Sequence, residues 1–336
     1  MQSLSYLSIL SCVFAGSHAR LSEGLIQDQK LFVGFGNGSD VAEILNFPSS
    51  ESQTPCASSI PEYPLGEVWG TVGMVVEGNI VLCGGVYYPS LDWYSECFAL
   101  VMDNTSGLLE WQEFPSMEKQ RGWGSSAMLE DGSWMVLMGE GHYGEMTHTS
   151  EIFNISTKSW SSGPEFPVAQ SGHCAVSINE SFILLVGGWS QEDHCFLFNL
   201  EDESYQEVAC LQSGKRIFHS CTKTADGKVA VVGGCLKHEG NFACAEGVDD
   251  FFVDLEYFDP LTASWSYGTP LDKGVMGSAL VSDGDDLLLL GGLNLDGLVD
   301  TMYRMKADKW ELLDTKLNAK QMHFPAFPVD ASVYSC

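Results

Sequence analysis

An all-β ring of six similar sheets is the fold class that this sequence predicts, on three observations. An apolar, β-rich run ending in glycines recurs six times, turn residues precede most runs, and an aromatic residue opens a further strand after five of them. The runs are Leu31–Gly36, Ile80–Gly85, Met135–Gly141, Ile183–Gly188, Val229–Gly234 and Leu287–Gly292, and their last glycines lie 49, 56, 47, 46 and 58 residues apart.

Each element follows in order. Glu77-Gly78-Asn79, Glu130-Asp131-Gly132, Asp226-Gly227 and Asp283-Gly284 are turn signals before the runs, with another small or apolar stretch ahead of them. Two antiparallel strands therefore precede each glycine pair. A variable loop leads to a third strand at Cys97–Met102, Ser150–Ile155, Cys195–Leu200, Leu255–Asp259 and Thr301–Met305, and Trp111, Trp160, Tyr205, Trp265 and Trp310 open a fourth. Four strands without helical periodicity make one blade of a β-propeller. The sixth unit is divided: His323–Val329 supplies an inner strand, and Leu31–Phe47 a second and third. Pairing them closes the ring and removes exposed sheet edges. The expectation is one domain over residues 20–336, its closing blade shared between about 31–60 and 320–336.

The hydrophobic run, Gly-Gly, the strand end at Phe258-Asp259-Pro260 and Trp265 resemble the kelch family, and the repeat spacing is about the kelch length. The resemblance covers nearly all of residues 20–336. The second blade departs from it with Gly-Glu-Gly, and the third carries Tyr205 for Trp. It also places a pre-strand motif in register: Arg121-x-x-Gly124, Gln170-x-x-His173, Arg216-x-x-His219, Lys273-x-x-Met276, Lys320-x-x-His323 and a degenerate Glu67-x-x-Gly70.

Composition bounds the function. The 336 residues carry 45 acidic and 16 basic side chains, a net charge of −29, which excludes an unaided nucleic-acid binder. With 45% hydrophobic residues the chain can bury a core, which excludes wholesale disorder. Leu4–Gly16 followed by Ser17-His18-Ala19 has the length and small residues of a signal peptide cleaved after Ala19, giving residues 1–19 as the export signal. No later segment reaches the apolar length of a membrane helix. The expected localisation is secreted, extracellular.

Ten cysteines remain after removal of Cys12, an even number that reads as disulfides in an exported chain. Cys83 ends a second strand and Cys97 begins the third beside it; Cys195 and Cys210 meet likewise at one edge. Cys235 and Cys244 pinch the longest loop, Cys174 and Cys221 occupy near-equivalent positions in neighbouring inner strands, and Cys56 pairs with Cys336 by elimination. N-glycosylation sequons stand at Asn37, Asn104, Asn154 and Asn179.

In such a blade the loops between strands two and three share a face with the connections between blades, here called the upper face. Its loops are long and rich in Tyr, Trp and Arg, the residues that dominate binding hot spots. The candidate binding residues are Tyr87, Tyr88, Trp93, Tyr94, Arg121, Trp123, His142, Tyr143, Trp189, Arg216 and Phe242. The alternative is that these aromatics pack the loops and the arginines bond loop carbonyls. Asn104, Asn154 and Asn179 fall on the opposite, lower face, where glycans leave the upper face to a partner. Asn37 is the exception.

Chemical motifs are few. Gly139-Glu-Gly-His-Tyr-Gly144 matches a dinucleotide fingerprint but has no room for its helix. Cys235-x-x-His238 with Cys244 imitates a zinc site, yet a loop disulfide is favoured. Asn294-Leu-Asp296-Gly297 lacks the terminal acid of an EF-hand. His173, His219 and His323 recur at one inner-strand position and converge on the channel. Enzymatic kelch relatives resemble galactose oxidase, whose copper ligands have no counterparts here, and intracellular kelch adaptors carry an N-terminal dimerisation domain where this chain has its signal segment. No catalytic residue, metal or cofactor is expected. The reading is a binding module for an unknown extracellular protein or glycan, basic partners being favoured by the negative charge, with no nucleic acid and no membrane span. The alternatives are a propeller enzyme with its site at the channel mouth and a structural matrix glycoprotein.

Overall fold

The computed structural model describes residues 29–37, 39–46, 60–87, 89–103, 105–129, 131–141, 145–189, 194–236, 251–330 and 334. The first blade is built from Val72–Val76, Asn79–Cys83, Cys97–Met102 and Leu109–Phe114; the second from Ser125–Met128, Trp134–Leu137, Thr149–Asn154 and Ser159–Glu165. Cys174–Ser177, Phe182–Val186, Cys195–Asn199 and Tyr205–Glu207 form the third. The fourth comprises Ser220–Lys223, Val229–Val232, Leu255–Asp259 and Ser264–Tyr267, and the fifth Ala279–Asp283, Asp286–Leu290, Met302–Lys306 and Lys309–Leu312. All neighbouring strands are antiparallel, and the six inner strands pack in sequence around one axis until the last meets the first.

Closure occurs where the repeat arithmetic places it. Gln29–Val33 pairs with Ala326–Asp330 on one side and with Glu43–Asn46 on the other. Leu31, Phe32 and Val33 are fully buried, each stabilising the join by about 1.5–3 kcal/mol. Tyr334 adds a clasp: its hydroxyl donates to Leu100 O at 3.2 Å and accepts from Ile80 N at 2.8 Å, both in the first blade.

The second strands are apolar on both faces because each lies inside a blade that is itself covered by two neighbours. Fourth-strand aromatics staple successive blades at the rim. The indole N–H of Trp111, Trp160, Trp265 and Trp310 donates to Pro61 O, Pro115 O, Ala209 O and Thr269 O of the preceding blade, at 2.6–3.0 Å, and the Tyr205 hydroxyl donates to Glu165 O. Tyr205 therefore replaces Trp without losing the staple. Disulfides join Cys83–Cys97, Cys174–Cys221 and Cys195–Cys210, with Cα separations of 4.1, 6.2 and 5.2 Å. Cys235 is also disulfide-bonded. Its expected partner Cys244, the expected pair Cys56 and Cys336, and residues 1–19 lie outside the described residues. No helix occurs among the described residues, so none is long and apolar enough to cross a membrane.

Register corrects three readings. In the second blade Gly122 bridges to Glu140, so the glycine pair is Met138-Gly139, with Met138 itself left-handed at φ 50°. Gly141 lies outside the repeat. The pre-strand motif is fixed by the bond that each second glycine donates: Gly85 to Arg121 O, Gly139 to Gln170 O, Gly188 to Arg216 O, Gly234 to Val275 O and Gly292 to Gln321 O. Val275 and Gln321, not Lys273 and Lys320, hold the first place, and Val68 replaces Glu67. His323 consequently stands one place earlier than His173 and His219.

Candidate functional site

Two residues beyond that first place, six residues share one unusual backbone state. Gly70, Trp123, Gly172, Phe218, Gly277 and His323 all have φ between 52° and 66°. Left-handed backbone turns each N–H toward the preceding blade. Trp123 N donates to Gly70 O, Gly172 N to Trp123 O, Phe218 N to Gly172 O, Gly277 N to Phe218 O, His323 N to Gly277 O and Gly70 N to His323 O, all at 2.8–3.2 Å. The bonds run head to tail round the axis and close on themselves. Each satisfies two backbone groups that inner-strand edges would otherwise leave open.

Glycine and an aromatic alternate round this belt for a steric reason. A Cβ on Gly70 meets the Trp123 ring at 2.6 Å, one on Gly172 meets Phe218 at 2.8 Å, and one on Gly277 meets His323 at 3.1 Å. Each ring thus lies against the glycine before it. The three rings converge, with centroids 4.4 Å apart for Phe218 and His323, 6.3 Å for Trp123 and His323 and 6.4 Å for Trp123 and Phe218. They form an aromatic floor at the upper mouth of the channel. Trp93 stands on it edge-on, 5.5 Å from Trp123.

The same two-blade period governs charge. Opposite the residue that stands three places before the second glycine (Gly139, Gly234 and Gly36 in even blades; Gly85, Gly188 and Gly292 in odd ones), even blades carry Glu151, Glu256 and Glu43, whereas odd blades carry Phe98, Phe196 and Tyr303. Glu151 accepts from Glu118 N, Lys119 N and the Arg121 guanidinium; Glu256 accepts from Gln212 N, Ser213 N and the Arg216 guanidinium. Arg121 also donates to Met138 O and Thr149 O, and Arg216 to Gly233 O and Asp254 O. Burial pulls both guanidinium pKa values down, and the adjacent carboxylates oppose that shift. These arginines, 1% exposed, hold the inter-blade connections in place.

In the closing blade Gln321 stands where arginine stands twice before. Among the described residues Glu43 accepts from Asn318 N and Nδ2 alone, both at 2.9 Å, and burial raises its carboxyl from 4.5 to about 7. The Gln321 amide has no partner among the described residues. His173 and His219 are tucked between blades, not in the channel, and desolvation pushes both imidazoles down to about 3; that of His323 in the floor falls to about 4. All three are neutral at physiological pH.

Glu140 is the remaining buried carboxyl at the mouth. Its backbone exchanges two hydrogen bonds with Gly122, beside Trp123, and its side chain accepts from the Ser171 hydroxyl at 2.6 Å, beside Gly172. It is 7% exposed and has no cationic partner among the described residues. Burial raises its pKa.

Above the floor stand short ribbons. Val86–Tyr87 pairs with Asp92–Trp93, Arg216–Ile217 with Cys235–Leu236, and Leu293–Asn294 with Gly297–Leu298. Their tips expose Leu91 and Leu295, 57% and 55% accessible. Of the candidate binding residues, Trp93 is buried within the first ribbon, Tyr87 and Tyr94 are partly buried against the core at its base, and Trp189 packs against the cluster of Ile217, Cys235 and Met276. Tyr88, His142, Tyr143 and Phe242 lie outside the described residues. Asn154 and Asn179 sit in lower turns, and Asn37 bridges to Met322 on the upper side. Asn104 is outside the described residues. The belt, the alternation and Glu140 escaped the sequence reading. Their signal was the spacing of Arg121, Arg216 and Gln321, which Trp123, Phe218 and His323 repeat two residues later.

No protein-family model matches the chain. Over 135 residues it is 30% identical to N-acetylneuraminate epimerase of Haemophilus influenzae (strain PittEE), a span covering 39% of this chain and 34% of that protein. Over 230 residues it is 23% identical to Kelch-like protein 41b of Danio rerio, covering 67% of this chain and 35% of that protein. The matches thus span about a third of the length of these curated relatives. The solved "Structure of YjhT" superposes with a TM-score of 0.68 at 14% identity, over 85% of this chain and 94% of that one, a likeness of fold.

Proposed function

From the premise that the chain is a kelch-type six-bladed β-propeller, we propose that it is an extracellular recognition module whose upper face binds a macromolecular partner, protein or glycan. The observation that carries this reading is the closed hydrogen-bonded belt, which makes the upper mouth a rigid aromatic platform beneath projecting ribbons. Rigid scaffolds that present variable loops bind at low ordering cost. The paired disulfides suit an oxidising compartment. The sequons at Asn154 and Asn179 in the lower turns support the upper face, whereas Asn37 on the upper side is the exception.

The test is matched substitution of exposed leucines. Leu91→Ser with Leu295→Ser on the upper tips is compared with Leu108→Ser with Leu261→Ser in the lower turns, in capture of a crosslinked surface partner. Loss of capture only in the upper pair supports the reading. Loss only in the lower pair overturns it.

A second reading, catalysis at the mouth, is favoured by Glu140, whose pKa burial raises, the direction that a general acid requires, and by the local match to N-acetylneuraminate epimerase. Epimerisation of N-acetylneuraminate, followed by NMR and abolished by Glu140→Gln, would establish it over the binding reading.

A further inference from the structure

We propose that the upper mouth accepts a cationic side chain, an arginine or lysine presented by a protein partner, between the aromatic floor of Trp123, Phe218 and His323 and the carboxylate of Glu140. This deepens the upper-face reading and rests on it.

The carboxylates themselves set the argument. A buried carboxylate is stable when a cation or several donors compensate it. Glu151 and Glu256 each have an arginine and backbone N–H groups. Glu140, 7% exposed against 2% and 0% for those two, receives among the described residues one neutral hydroxyl, from Ser171. Its bonded neighbours, Gly122 and Ser171, flank Trp123 and Gly172 of the belt, so the carboxylate stands at the margin of the floor. An arriving cation supplies the missing charge.

The floor supplies the second contact. Trp123, Phe218 and His323 are each partly buried, so the residues of the floor are not wholly closed off from solvent. Aromatic faces attract ammonium and guanidinium groups by about 0.5–2 kcal/mol. His323 contributes as a neutral ring because burial keeps its proton off. Arg121 and Arg216 do not compete, because both are turned inward onto Glu151 and Glu256. Long-range electrostatics agree, since a chain of net charge −29 draws basic segments toward it. A free acidic ligand meets repulsion from the same field.

A pH signature follows. Among the described residues, the charged or titratable groups on segments packed round Glu140 are Arg121, held by Glu151; Tyr94, whose carbonyl accepts from Arg121 N; Asp92, on the ribbon beside it; Glu145, beyond the bridge to Met146; and His173, which is neutral. Burial makes Glu140 hold its proton above the usual carboxylate range. A bound cation favours the ionised form, so binding releases a proton and tightens as pH rises.

The experiment titrates acetyl-Gly-Gly-Arg-Gly-Gly-amide, its lysine analogue and its glutamate analogue into the intact protein by calorimetry, from about pH 5 to about pH 8, in buffers of different ionisation enthalpy. The arginine and lysine peptides bind more tightly at the higher pH with proton release, and the glutamate peptide does not bind. Glu140→Gln, which keeps the Ser171 bond, weakens binding by about tenfold or more and removes the pH dependence. Phe218→Leu weakens it by about threefold or more, and Trp123→Phe, which keeps a ring, by less. Glu201→Gln on the lower face makes the same charge change and leaves binding intact. Equal binding by wild type and Glu140→Gln, equal loss in Glu201→Gln, or no binding of either cationic peptide overturns the inference. The leucine substitutions above judge the upper-face reading independently of these outcomes.

Discussion

Gln321→Arg gives the closing blade the arginine that the second and fourth blades already have. Glu43 is 1% exposed, and its carboxyl is raised from 4.5 to about 7 by burial, with only Asn318 opposing. A raised folded-state pKa means that the folded protein holds a proton which the unfolded chain releases. Stability is therefore greatest below the unfolded value and falls as pH climbs from about 4.5 to about 7. The shift corresponds to about 3 kcal/mol at the high-pH limit. In the equivalent blades the guanidinium reaches its carboxylate at 3.0 and 2.6 Å. A third guanidinium at that place restores the missing counter-charge and occupies the site of an amide that has no partner among the described residues. Thermal unfolding of wild type, Gln321→Arg and Glu43→Gln, followed by circular dichroism from about pH 5 to about pH 8, reads the effect. Wild type loses stability relative to Glu43→Gln as pH rises, and Gln321→Arg cancels most of that loss, raising Tm at the higher pH by a few degrees, roughly 2–4 °C per kcal/mol. A Gln321→Arg protein that gains nothing at high pH, or a wild type parallel to Glu43→Gln throughout, refutes the reasoning.

Other outcomes follow from the same geometry. Gly172→Ala places a Cβ against Phe218 at φ 59° and costs about 1–3 kcal/mol in a denaturant melt, whereas Gly227→Ala, also left-handed but in an open turn, costs less. His173 carries a depressed pKa, so its contribution to stability is present above about 6.5 and is lost as pH falls toward about 3. His173→Leu removes an imidazole with two unpartnered nitrogens and reduces acid sensitivity by about 2 kcal/mol between about pH 6.5 and pH 5, measured by urea unfolding at each pH. Replacing Cys174 and Cys221 by Ala, a crosslink spanning 47 residues, lowers unfolding free energy by about 2–4 kcal/mol.

The blade count, the closure and three disulfides were legible because each leaves a local mark in sequence: a glycine pair, a turn, a cysteine at a strand end. The register of the pre-strand motif was not. Lys273 and Lys320 looked like partners of Arg121 and Arg216 by residue type, but the backbone bonds from Gly234 and Gly292 select Val275 and Gln321. Met138 occupies a glycine place because flanking bonds hold it left-handed. Side-chain accessibility was equally hidden. Arg121 and Arg216 have the chemistry of hot-spot residues, yet their orientation is decided by Glu151 and Glu256, 30 and 40 residues further on. The period of two blades is the feature that joins these facts, and it becomes visible only once the register is known.

Site-specific photo-crosslinking tests the central claim most directly. A benzophenone amino acid placed singly at Leu91, Leu295, Leu108 or Leu261, four exposed apolar positions between 55% and 67% accessible, samples both faces with the same chemistry. Partner adducts formed from Leu91 and Leu295 alone are the result predicted here. Adducts formed from Leu108 and Leu261 alone would contradict it.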